Sequence, residues 1–257
     1  MDEAEENNLG DKAINARWAR WDTCSLCKQE YQGVVKCALG WACWKTYVGR
    51  PETDRTRMMA LSHLATAYQG PEEEKLRLLE LALEVRRRIW PSDMAGTLRE
   101  KSQIAHCYEK LGRHDEALVT YRDIYQKTLA LFGEVHYNSF LATDNLARSL
   151  VQIATRTQQM CLQHEAMQLL QERIPQCERA LGPGHSLVFN LQEVHMAIVL
   201  GSGPSAADLR ACEAMYKERV RSTRRTYGPS HEWTRQAEKL LENVTLALSV
   251  GVARGYI

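Results

Sequence analysis

The sequence predicts an all-α fold: an array of stacked helical hairpins, an α-α superhelix. Three observations carry that expectation. A phrase recurs as Phe132-Gly133-Glu134-Val135-His136, Leu181-Gly182-Pro183-Gly184-His185 and Tyr227-Gly228-Pro229-Ser230-His231, with a worn copy at Trp90-Pro91-Ser92-Asp93-Met94. Its anchor positions 94, 136, 185 and 231 are 42, 49 and 46 residues apart, and periods of roughly 20–50 residues mark repeat architectures. Between the phrases, apolar residues fall at helical spacing, and only seven prolines interrupt the whole chain.

The elements follow in order. Residues 1–17 open Met1-Asp2-Glu3-Ala4-Glu5-Glu6 and read as a polar amino-terminal tail, without the basic and apolar regions of a secretory signal. Residues 18–54 gather Trp18, Trp21, Trp41 and Trp44 with Cys24, Cys27, Cys37 and Cys43. They read as a cap that includes a helix from Val34 to Tyr47. Residues 55–250 hold about four helix pairs, closed by a helix from about His231 to Leu248. Residues 251–257 read as a carboxy-terminal tail.

Each pair is built the same way. The first helices carry Leu64-Ala65-Thr66-Ala67-Tyr68, Ile104-Ala105-His106-Cys107-Tyr108 and Leu146-Ala147-Arg148-Ser149-Leu150. The small residue lets a neighbouring backbone approach, and residues four apart share one face. The second helices carry Ala117, Ala166 and Cys212, each 19 residues before its anchor, while Lys75 breaks the pattern in the first copy. Gly133, Gly182 and Gly228 stop the second helices, since glycine accepts the left-handed conformation that closes a last turn. Pro91 stops the first copy by another route. Glu72-Glu73-Glu74 reads as the acidic first turn of a helix after Gly70-Pro71. About seven extra residues near 154–163 amount to nearly two helical turns, so lengthened helices keep their buried faces in register. Gly201-Ser202-Gly203-Pro204 is a loop, after which Ser205 and Asp208 cap the next helix.

At Ile104, Ala105, Tyr108, Gly112, Ala117 and Tyr121 the chain resembles the tetratricopeptide repeat family. The longer period and the Leu-Gly-x-x-His phrase resemble its kinesin-light-chain subtype, over roughly residues 55–250. Met94 replaces the anchor histidine in the first unit, and His195-Met196 replaces the Leu-Ala pair in the fourth. No amino-terminal heptad region precedes the repeats. The resemblance implies protein binding without catalysis, with a peptide or partner protein held in the concave groove lined by first helices.

The faces of those helices not used for packing present Ser62 and Thr66, then Arg99, Ser102, His106 and Glu109, then Asp144, Asn145 and Arg148. Of these, Ser102, His106, Glu109, Asn145 and Arg148 are the candidate partner-binding residues. Asn145 directly precedes Leu146-Ala147 and so matches the Asn-Leu-Ala of the light-chain-type repeat, where the resemblance implies contact with the ligand backbone.

Cys24-Ser25-Leu26-Cys27, followed by Gly33, resembles the first half of a RING- or MYND-like finger. Two thiolates two residues apart are half of a tetrahedral zinc site. Cys24 and Cys27 are therefore the candidate metal ligands, with Cys37, Cys43 and His63 as candidates for completion. Cys37 and Cys43 do not share a helix face. The segment admits two readings: a degenerate knuckle holding structural zinc, and a hairpin whose cysteines pack against Trp18, Trp21 and the Trp41/Trp44 helix. The sequence favours the second and implies no cofactor. A regulatory zinc-binding or ubiquitin-ligase-like protein is the alternative function, and a self-association module is a third.

The remaining features point away from other classes. With 33 basic and 32 acidic residues, nothing draws the whole chain to nucleic acid. Arg86-Arg87-Arg88 and Lys217, Arg219, Arg221, Arg224 and Arg225 read as solvated cations at helix carboxy-terminal ends. No run of about 18 apolar residues spans a membrane. Cys107, Cys161, Cys177 and Cys212 read as reduced, buried small hydrophobes, and the cytoplasm is the expected compartment. His136, His185 and His231 occupy equivalent positions in successive units, too far apart to share one ion. They read as structural joints at helix entries. The chain carries no phosphate loop, nucleophile elbow or HExxH, and no enzyme is expected.

Overall fold

The computed structural model describes residues 18–182, 184–201 and 205–253. The expected tail at 1–17 lies outside them. Helices account for about four-fifths of the described chain: α1 (Gly33–Tyr47), α2 (Arg55–Ala67), α3 (Glu72–Ile89), α4 (Met94–Lys110), α5 (His114–Phe132), α6 (Tyr137–Thr157), α7 (Met160–Leu181), α8 (Ser186–Gly201), α9 (Ala206–Tyr227) and α10 (Glu232–Ala253). None of them is long and apolar enough to cross a membrane. The chain divides into two compact units, 1–120 and 121–257.

In the first unit α1 packs on α2, α2 on α3 and α3 on α4. Leu61, Ala65, Leu76, Leu79, Ala82, Leu83, Ile104 and Cys107 form its main core. Gly40 lets α1 lie close on α2: a Cβ there would stand 2.8 Å from the Cβ of Ala67. A second cluster joins Cys43, Tyr47 and Ala60 to Trp18, Trp21 and Trp44. This corrects the expected cap. Cys43 is its buried cysteine, whereas Cys24 is half-buried and Cys27 exposed.

In the second unit α6 packs on α7, α8 packs on α6, α7 and α9, and α9 packs on α10. The repeat logic holds residue by residue. Ala65, Ala105 and Ala147 of the first helices, and Ala117, Ala166 and Cys212 of the second, are all fully buried. The seven-residue insertion is shared between two helices: α6 has 21 residues against 17 in α4, and α7 has 22 against 19 in α5. Gln158, in the left-handed conformation at φ 56°, makes the turn between α6 and α7.

The helix ends follow the chemistry of their residues. Gly182 and Gly228 stand at φ 89° and 88°, where a Cβ is strained, and their N–H groups close the last turns on the carbonyls of Glu178 and Arg224. Their ψ angles of 148° and 166° are extended, so they redirect the chain rather than continuing a left-handed turn. Ser205 and Asp208 form the full reciprocal capping box. The closing helix runs to Ala253, so residues 251–253, expected as tail, are helical.

Candidate functional site

The three anchor histidines resolve as helix caps. The Nδ1 atoms of His136, His185 and His231 accept from the backbone N–H groups of Asn138, Leu187 and Trp233 at 3.1, 3.1 and 3.2 Å. Each satisfies a donor that the helix start leaves without a partner. The His136 ring stacks on Phe132 at 4.7 Å, and the His231 ring on Tyr227 at 4.9 Å. The aromatic residue that ends one helix thus holds the imidazole that starts the next. In the first copy Asp93, not Met94, does this work, accepting from Gly96 N–H at 2.9 Å. The phrase aligned Met94 with the histidines, but the cap lies one residue earlier.

The candidate partner-binding residues fall into two groups, one in each unit. On α4, His106 is exposed while Ser102 and Glu109 are half-buried. His106 Nδ1 lies 3.5 Å from the Glu109 carboxylate. On α6, Arg148 is exposed and Asn145 half-buried. The Nε of Arg148 donates to both carboxylate oxygens of Asp144 at 3.0 and 3.1 Å, and its Nη2 reaches the carbonyl of Asn190 on α8 at 3.5 Å. Burial pushes the pKa of Asp144 up, and the neighbouring Arg148 only partly offsets this. Two residues assigned to the open face are therefore core-side. Asp144 is buried, and so is Ser62, which is bonded to both Arg86 and Glu100.

Most members of the basic runs are paired with carboxylates. Arg86 is 2% exposed and bonded to Asp93, Glu100 and Ser62. Lys217, Arg219, Arg221 and Arg224 pair with Glu213, Glu193, Glu218 and Glu238 at 2.9, 2.6, 2.9 and 2.5 Å. The outward-facing basic stripe that nucleic acid requires is largely neutralised.

At the knuckle, Thr23 and Glu30 make an isolated antiparallel bridge, and Lys28 turns the chain at φ 59°. The backbone N–H groups of Cys27 and Leu26 point at the Cys24 sulfur and hold its pKa below the ordinary thiol value; the Cys27 thiol lies beside it. The side chains expected to complete a zinc site do not join them. His63 is turned to Asp22 at 3.3 Å, Cys43 is buried among the tryptophans, and no group of three or more ligating side chains forms among the described residues. Cys24 and Cys27 thus stand near each other without a third such side chain among the described residues.

No family model matches the chain, and no curated protein matches its sequence. Solved structures do match. BtubC (BKLC) from P. vanneervenii is similar with a TM-score of 0.64 at 17% identity, over 85% of this chain and 87% of that one. A putative kinesin light chain of nearly identical TPR-like repeats from Podospora anserina is similar with a TM-score of 0.54 at 17% identity, over 75% of this chain and 87% of that one. A point variant of that protein gives 0.59 at the same identity, over 74% and 87%. The fold is a TPR-like helical repeat.

Within that TPR-like fold, sequence reasoning missed several buried polar anchors. Arg173, 1% exposed, lies over Phe140 at 5.2 Å and donates to the Glu134 carbonyl at 2.6 Å. Arg219, half-buried and paired with Glu193, likewise lies over Phe189 at 5.8 Å. The signal was available: Phe140 and Phe189 each follow an anchor histidine by four residues, and Arg173 and Arg219 each precede the next anchor by twelve. The departure at His195-Met196 also has a structural consequence. It lines a cavity of about 320 Å³ with Gln171, Ile174, Pro175, Gln192 and Met215. Of the scattered cysteines, Cys107, Cys177 and Cys212 are buried as expected, but Cys161 is exposed.

Proposed function

We propose that the chain is a non-enzymatic protein-interaction scaffold that takes a peptide segment of a partner on the open faces of its first helices. The contact residues in this reading are two separate sets, Ser102, His106 and Glu109 of α4 in the first unit and Asn145 and Arg148 of α6 in the second. The observation that carries it is the repeated division of these helices. Ile104-Ala105 and Leu146-Ala147 are buried, while His106 and Arg148, at equivalent positions twelve residues after their anchors, are exposed. Each is steadied by a carboxylate within one turn, Glu109 at 3.5 Å and Asp144 at 3.0 Å. Polar groups held in place on a rigid helix lose little freedom when a ligand arrives.

The four buried thiols support a non-catalytic reading of the helical core. Burial pushes Cys43 and Cys107 up to about 12 and Cys177 and Cys212 up to about 11, so these are packing groups rather than nucleophiles. The paired cations of α9 support a protein or peptide ligand over nucleic acid.

A peptide-display selection on the immobilised full chain tests the proposal. Selected peptides are expected to lose affinity about fivefold or more against His106→Ala or Asn145→Ala, with the thermal midpoint of each variant unchanged. No enrichment, or affinity lost only in step with folding, would overturn it.

A further inference from the structure

Every cysteine and histidine of the chain lies within the described residues, yet Cys24 and Cys27 find no third ligand among them. They are nonetheless arranged as ligands. The knuckle is closed by Cys24 N–H donating to Gln29 O at 2.9 Å and Lys28 N–H donating to Cys24 O at 3.0 Å. Cys27 is exposed, and Leu26 beside it is 89% exposed.

The helix that follows has an unusual surface. The inner face of α1 buries Gly40, Cys43 and Tyr47. Its outer face carries Val34, Trp41 and Val48, exposed at 80%, 42% and 38% and spaced seven residues apart. Seven residues are about two turns, so these three form one stripe. Exposed Lys45 lies on the same side, but three large apolar side chains facing solvent on a helix that already buries its other face exceed what a surface helix ordinarily shows, and this helix starts directly after the knuckle.

We infer that Cys24 and Cys27 are half of a tetrahedral zinc site whose other two ligands are the same cysteines of a second copy of this chain, with the outer face of α1 buried in the same interface. Zinc in structural sites takes four ligands at about 2.3 Å from sulfur, so two knuckles sharing one ion must abut. That contact brings the Leu26 and Val34 surfaces of the two copies together. A two-fold relation makes the patch self-complementary, since each copy offers what the other lacks: two thiolates and an apolar stripe. The inference stands independently of the first-helix faces.

The test uses the reduced, metal-free full chain titrated with zinc and followed by light scattering and metal analysis. Zinc is expected to double the mass at about one ion per two chains, and a chelator to reverse it. Cys24→Ser and Cys27→Ser, with unchanged helical circular dichroism, are expected to remain monomers. Trp41→Lys keeps all four thiolates and is expected to raise the zinc concentration needed for pairing about tenfold. Cobalt in place of zinc is expected to show the charge-transfer and visible bands of a four-thiolate tetrahedral site. One zinc per chain at monomer mass, no zinc uptake by the reduced chain, or mass doubling that persists in Cys27→Ser would each overturn the inference.

Discussion

Arg86 of α3 meets Glu100 of α4 at 3.0 Å, and the two side chains are 2% and 3% exposed. Asp93, which caps α4, and Ser62 of α2 complete the arginine's bonds. Three consecutive helices of the first unit are thus tied at one buried cation. Glu100→Ala leaves that cation short of a partner and is expected to cost about 3 kcal/mol by urea denaturation. Replacing the pair together, Arg86→Met with Glu100→Leu, is expected to cost clearly less than the single change, because no fully buried charge is then stranded and Asp93 keeps its bond to the Gly96 N–H.

His136→Ala removes both a cap on α6 and a ring stacked on Phe132. The expected loss is about 1–2 kcal/mol. His136→Asp is expected to recover the capping part, because an aspartate serves as the N-cap of α4 as His136 does of α6. Chemical denaturation of the three proteins side by side checks the ranking.

Arg148 has two duties, which bears on how the α6 face is probed. Arg148→Ala removes the partner of buried Asp144 and is expected to cost about 2 kcal/mol near neutral pH. Asp144→Asn in the same chain is expected to restore most of it. The folded pKa of Asp144 already stands above 3.8 because of burial. Its favourable contribution is therefore complete below that value and lost as pH rises through the folded pKa. Without Arg148 the folded pKa rises further, so the deficit of Arg148→Ala is expected to shrink in acid. Thermal midpoints across pH 4–7 measure this. For the same reason His106 and Asn145 are better probes of binding than charge reversal at Arg148.

Burial lowers the pKa of His195 below 6.5. The unfolded chain then takes up a proton before the folded one does, so stability is full above 6.5 and lost as pH falls from there towards the folded pKa. His195→Leu is expected to flatten the decline of the thermal midpoint between pH 7.5 and 5.5. His63, whose pKa burial also lowers, keeps part of the slope. An unchanged slope in His195→Leu would show that the ring is protonated at no cost in its cavity.

The hairpin repeat was legible because its signals are local and periodic. Ala105 and Ala147 mark close packing by size alone, Gly182 and Gly228 mark helix ends by backbone freedom, and Ser205 with Asp208 marks a helix start by side-chain reach. The candidate face was legible only in part. Spacing placed Asp144 and Arg148 on one side of α6 but could not say that the first is buried and the second exposed. A fraction of a turn separates core from solvent, and packing against α8 decides it.

The sequence by itself determined that the units repeat, which residues are small enough to pack, and, to within a few residues, where most helices begin and end, since each depends on neighbours within one or two turns. The tertiary structure alone decided the fate of charge and of ligand sets. Whether Arg86 is a solvated cation or a buried anchor depends on Ser62 and Glu100, which are 24 and 14 residues away. Whether Cys24 and Cys27 gain a third ligand depends on where Cys43 and His63 are carried by α1 and α2. Electrostatic burial and metal coordination are properties of three-dimensional neighbourhoods, and a linear period of 42–49 residues does not encode them.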